Sequence, residues 1–205
     1  MAKAQQVRVL LMRTGESTWE AQGRMGGLAD VPLSPAGREQ VLGAIESLGE
    51  VRLSAVVSGP DECSAASAGL LAKATGATAR RVEDLAEVDM GLWEGLMERD
   101  LAARCPSAYR QWSECPASVC APSGEVPAHA AERLMDALAR VFERARGDQG
   151  AVAVVLRPMA FSLVSAALRG ESSRECGAIC RCGGQVEWHT VGVEDVRRGL
   201  VRATG

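Results

Sequence analysis

At 205 residues, 47% hydrophobic and 24% charged, the chain has the composition of an ordinary soluble globule large enough to bury a full core. A formal net charge of −3 gives no general reason to bind nucleic acid or an anionic membrane, and 3% aromatics leave little for stacking on bases or sugars. No export signal precedes the first apolar run, and the longest such run, Ala151–Leu156, is far too short to span a bilayer, so a cytoplasmic location is expected.

Residues 7–12 form an apolar run of the kind that makes a strand covered on both faces, and it ends in Arg13-Thr14-Gly15-Glu16. Ser34-Pro35 reads as an N-cap with proline at the first helical position, opening a helix that reaches Leu48. Residues 53–57 are a second strand, 61–75 a helix stopped by Gly76, and 79–82 a short strand. Residues 95–126, with their prolines and cysteines, read as an irregular excursion holding one or two short helices. Residues 127–146 are helical, with Ala131, Leu134, Leu138, Val141 and Phe142 at core spacing. Residues 151–156 are the most hydrophobic strand, and Pro158 then starts a helix to Leu168 with Gly170 as its stop. Residues 185–191 and 200–203 supply shorter edge-strand material. This alternation predicts an α/β fold with a mostly parallel sheet covered on both faces. No repeat or linker appears, so residues 1–205 are taken as one domain with an inserted lid region at 95–126.

Seven cysteines, at 63, 105, 115, 120, 176, 180 and 182, are an odd number and read as free thiols. Cys176, Cys180 and Cys182 lack the paired C-x-x-C spacing of a structural zinc site, so no metal is expected there. Trp19, Trp93, Trp112 and Trp188 read as packing residues, and Glu98-Arg99-Asp100 as solvated charges.

In an open sheet of this class, ligands sit beyond the carboxyl ends of the strands. Three turns leave such ends: Arg13-Thr14-Gly15, Ser58-Gly59-Pro60 and Arg157-Pro158. The helix opening at Pro158 aims its N–H groups and positive dipole end at the same crevice. Arg13 and Arg157 complete an anion pocket, since guanidinium matches the geometry of phosphate oxygens.

Six segments carry a resemblance, the shortest of them SGE (123–125), similar to a family Gly-Glu pair that opens the helix before the last core strand. MRTGE (12–16) stands where the histidine phosphatase superfamily, phosphoglycerate mutase-like branch, has Arg-His-Gly-Glu after its first strand. GRMGGLADVPLSPAGREQ (23–40) is similar to its Gly-Arg-x-x-Gly-x-x-Asp-x-Pro-Leu-Ser-x-x-Gly-x-x-Gln block. LAEVDMGLWEG (85–95) resembles its Leu-x-Glu-x-x-x-Gly-x-Trp-Glu-Gly segment, while SGPDECSAASA (58–68) and AVAVVLRPMA (151–160) occupy two further family positions. The resemblance implies a three-layer α/β/α sandwich whose sheet is mostly parallel with an antiparallel edge, and no cofactor. It makes Arg13 the first phosphate-binding arginine and Glu87 the proton-donating acid, with Trp93 helping to wall the pocket.

The same resemblance implies losses at the chemistry. Thr14 takes the place of the nucleophilic histidine, Arg157 that of the second histidine, Cys63 that of the second phosphate-binding arginine, and Glu20 that of a pocket asparagine. The chain is therefore read as a degenerate member, a pseudophosphatase whose residues Arg13, Gly15, Glu20, Cys63 and Arg157 hold phosphate, another small anionic metabolite, or a protein partner. Two alternatives stand beside it: a weak phosphomonoesterase or mutase using Glu87 and water, and a structural scaffold. Neither nucleic acid nor membrane is an expected partner, and a monomer or homodimer fits equally. The arginines have two readings as well: ready for a ligand, or satisfied internally by an Arg157–Glu87 pair. His129 and His189 follow no core strand end and are read as structural. Asp61 and Glu62 beside Cys63 are expected to disfavour its thiolate.

Overall fold

The computed structural model describes residues 6–145, 150–171 and 183–197. Five strands make one sheet: β1 (Gln6–Arg13), β2 (Leu53–Ser58), β3 (Ala79–Arg81), β4 (Ala151–Leu156) and β5 (Val186–Gly192). Their order is β3-β2-β4-β1-β5, parallel except for β5, which runs antiparallel to β1 at the edge. Residues 200–203, expected as further strand material, and the Cys176, Cys180 and Cys182 group lie outside the described residues.

The helices are α1 (Thr18–Ala21), α2 (Pro35–Leu48), α3 (Glu62–Thr75), α4 (Glu98–Arg104), α5 (Pro106–Glu114), α6 (Pro127–Arg144), α7 (Pro158–Leu168) and α8 (Val193–Arg197). Their ends follow local chemistry. The Ser34 hydroxyl accepts from Gly37 N–H with Pro35 in the first turn, and the Asp61 carboxylate accepts from Ser64 N–H. Gly76 closes α3 at φ 70°, a left-handed geometry that glycine adopts without strain.

Alternation along the two central strands builds the layers. Val9 and Leu11 of β1 join Val152, Val154 and Leu156 of β4 in the core shared with α6 and α7. Leu10 and Met12, with Ala153 and Val155, belong to the core shared with α2 and α3. All nine side chains are fully buried, each larger one contributing about 1.5–3 kcal/mol. The result is a three-layer α/β/α sandwich.

The excursion at 95–126 contains α4 and α5 and packs on a small core of its own, formed by Met25, Met90, Trp93, Leu101, Trp112 and Ala121. Trp93 is committed to that core and does not wall the cavity described below. Trp188 departs from the packing expectation: it is 43% exposed, with the Arg8 guanidinium 5.0 Å from its ring centre. In α6, Leu134, Leu138, Val141 and Phe142 are buried as expected, Ala131 is half-buried against the same core, and Ala130, Ala137 and Ala139 are buried beside them.

Candidate active site

The register of β1 on β4 sets the geometry. Arg13 pairs with Leu156, so Thr14 and Arg157 leave the sheet side by side, and Thr14 N–H donates to the Leu156 carbonyl at 2.9 Å. The chain then passes so close to α2 that a Cβ at Gly15 would stand 2.2 Å from the Gly37 carbonyl oxygen. Only glycine fits there, and its N–H donates to the Ser67 hydroxyl at 3.3 Å. Gly15 thus fixes the turn against α2 and α3.

Both strand-end arginines are 2% exposed, and both have acidic partners. Arg13 Nη2 meets Glu20 Oε1 at 2.6 Å, and its Nη1 donates to the Thr14 carbonyl at 3.0 Å. Glu20 also closes a capping box on α1, accepting Ser17 N–H at 2.9 Å. Arg157 Nη1 lies 3.4 Å from Asp61 Oδ1. Asp61 is simultaneously the N-cap of α3. The expected Arg157–Glu87 pair is therefore replaced by Arg157–Asp61, with Glu87 as a charge neighbour of the same guanidinium.

Glu87 has other partners. Its two carboxyl oxygens accept from the N–H groups of Val88 (2.8 Å), Met159 (2.9 Å) and Ala160 (2.7 Å), so the carboxyl caps the start of α7. The anion-binding end of that helix is thus filled by the protein's own side chain. Burial raises the Glu87 carboxyl from its ordinary value, while Arg157 and the three N–H groups oppose that shift. Cys63 is fully buried, and its thiol is pushed up to about 12. Burial is the main cause, Arg157 opposes it, and Asp61 and Glu20 add to it. The Thr14 hydroxyl is fully buried, makes no well-formed hydrogen bond among the described residues, and lies against the Cys63 thiol.

Arg13, Glu20, Glu87 and Arg157 line one cavity of about 230 Å³. Thr14, Gly15 and Cys63 do not reach its surface. The lining carries three guanidiniums (Arg13, Arg24 and Arg157) against four carboxyl groups (Glu16, Glu20, Glu87 and Glu98), a formal balance of −1. No cluster of three metal-ligating side chains occurs among the described residues.

Residues 9–195 match the histidine phosphatase superfamily (branch 1). The chain belongs to that superfamily. Phosphoserine phosphatase 1 of Hydrogenobacter thermophilus is 29% identical over 138 residues, 67% of this chain and 65% of that protein. Glucosyl-3-phosphoglycerate phosphatase of Mycobacterium tuberculosis is 32% identical over 107 residues, 52% of this chain and 48% of that one. Each of these two sequence matches therefore spans less than two thirds of the relative. The solved native structure of the mycobacterial glucosyl-3-phosphoglycerate phosphatase superposes with a TM-score of 0.74 at 26% identity, covering 91% of this chain and 90% of that one. The same mycobacterial enzyme in complex with inorganic phosphate gives 0.72 at 26% identity, covering 90% and 89%.

Within this superfamily member, sequence reasoning missed Asp61 as the partner of Arg157. Its position as N-cap just past the end of β2 was the available signal, because that turn opens onto the same crevice as the other two. Glu98 was expected to be a solvated charge, yet it lines the cavity and accepts from the Tyr109 hydroxyl at 3.0 Å. His129 is exposed, and His189 sits 3.2 Å from Glu187 on β5; neither lines the cavity.

Proposed function

We propose that this protein keeps the superfamily's fold but acts through binding, without efficient phosphoryl transfer. The observation that carries this reading is the buried Arg157 guanidinium, paired with Asp61 at the place the resemblance gives to the second catalytic histidine. An arginine is never deprotonated in a protein, so it cannot serve as an acid or base there. A neutral imidazole at position 14 would attack phosphorus unaided near neutral pH, whereas a threonine hydroxyl needs a base. Beside Thr14, Cys63 stays a thiol, and Glu87 is held in place by three backbone N–H groups at the start of α7. The cavity's formal −1 also disfavours a phosphomonoester dianion, which fits arginines that already have carboxylate partners.

A phosphomonoesterase remains as the second reading, favoured by relatives that bear the name phosphatase. It would use Glu87, raised by burial, as proton donor to the leaving oxygen, with water as nucleophile and no covalent intermediate. Such a route forgoes most of the charge stabilisation of the transferring group.

Phosphate release from 4-nitrophenyl phosphate, O-phosphoserine and 3-phosphoglycerate separates the two. The first reading expects no release above the protein-free blank, and no difference between the wild type and Glu87→Gln. Steady release lost in Glu87→Gln would establish the second.

A further inference from the structure

The cavity's charges do not all have partners of their own. Arg13 is answered by Glu20, Arg157 by Asp61, and Glu87 by three backbone N–H groups. Glu98 is engaged by Tyr109. Two further lining charges, Arg24 and Glu16, have no ion pair among the described residues and each keeps an unused polar atom facing this lining. Arg24 spends Nε on Gln22 and Nη1 on the Gly95 carbonyl, leaving Nη2 uncommitted. Glu16 accepts only the Ser34 hydroxyl through Oε1, leaving Oε2 uncommitted. Both side chains are half-buried, so each is partly desolvated and gains from a counter-charge more than a surface group would. The remaining side chains of the lining are mostly apolar, Met25, Met90, Trp112, Pro158 and Met159, with Ser113 beside them.

We propose that this cavity binds a free α-amino acid with an apolar side chain, as a zwitterion and without a phosphoryl group. Arg24 takes the carboxylate through its uncommitted N–H groups, Glu16 takes the ammonium, and the methionine-rich wall receives the side chain. The cavity, at about 230 Å³, is smaller than the pockets of drug-sized ligands and suits a molecule of single-residue size. One positive and one negative group on the ligand leave the cavity's balance unchanged, where a phosphomonoester dianion would make it more negative. This inference rests on the reading that the protein binds without turning over phosphate.

Isothermal titration calorimetry on the full chain tests it with five probes: L-leucine, L-methionine, L-leucinamide, 4-methylpentanoate and O-phospho-L-serine. Binding of leucine or methionine is expected, weakened about tenfold or more in Arg24→Gln and in Glu16→Gln, with leucinamide and 4-methylpentanoate similarly weakened. Far-UV circular dichroism and the melting temperature of each variant confirm that it is folded. No heat from either amino acid up to about 10 mM overturns the proposal. So does leucinamide binding as well as leucine, or phosphoserine binding more tightly than both. Phosphate release from phosphoserine, measured in parallel, judges the non-turnover reading separately: turnover with leucine binding sinks that reading alone, and no turnover with no binding sinks this one alone.

Discussion

Asp61 is the residue on which the buried charge arrangement turns, because it both caps α3 and answers Arg157. Asparagine preserves the cap but removes the charge, so Asp61→Asn is expected to cost about 2 kcal/mol, the worth of a hydrogen bond to a buried charged group. Asp61→Ala loses the cap as well, adding about 1 kcal/mol. Urea unfolding measures both, and equal losses would contradict the double role. Cys63 gives a second test at the same scale. Held up to about 12 and fully buried, it is expected to resist iodoacetamide at neutral pH while the exposed Cys105 and Cys120 react. Because the folded state holds the thiol proton more tightly than the unfolded chain, this group's contribution is present below the ordinary thiol range and lost as pH rises toward about 12. Cys63→Ala should therefore flatten the loss of stability on the alkaline side, as read by melting temperature against pH.

Among the elements, those with strong local signals were legible in the sequence. The Ser34-Pro35 opening of α2, the Asp61 and Gly76 ends of α3 and the apolar runs of β1 and β4 stand where capping chemistry and hydrophobic patterning place them. The full width of the buried stripe in α6, which takes in Ala130, Ala137 and Ala139 besides the expected positions, was not legible, since small residues fit either side of a helical stripe until the packing partner is known. The cavity was half legible. Arg13, Glu20, Glu87 and Arg157 follow from strand ends and motif, but Arg24, Glu16 and Trp112 converge only because β1, the following loop and α5 fold together. Leu11→Ala, in the fully buried second half of β1, is expected to cost about 2–5 kcal/mol in chemical unfolding, well above any effect of Trp188→Ala at a half-exposed position of β5. The β5 edge is tied to α7 by Glu187, which meets Ser165 at 2.5 Å and His189 at 3.2 Å. His189 first, then Ser165 and Arg169, hold this carboxyl below its ordinary range against partial burial. Its contribution is present above the unfolded carboxyl range and lost as pH falls through the folded value, so the melting-temperature gap between wild type and Glu187→Gln should close below about pH 4. A gap that stays constant into acid would show that the carboxylate charge is not what secures the edge.

At the level of the whole molecule, the sandwich is that of the histidine phosphatase superfamily, while the charged groups at its strand ends have internal partners around the cavity. Arg13 and Arg157 are held by Glu20 and Asp61, and the start of α7 is capped by Glu87. Inorganic phosphate is therefore expected to leave the melting temperature unchanged apart from the general salt effect seen equally with Arg13→Ala. The proposed reading makes residues 14, 63 and 157, and not the fold, decide whether phosphoryl is transferred. Its most direct measurement is steady-state phosphate release from 4-nitrophenyl phosphate by the wild type and by a folded Thr14→His/Cys63→Arg/Arg157→His variant. We predict none from the wild type and measurable turnover from the triple variant; many turnovers by the wild type, abolished in Glu87→Gln, would contradict it.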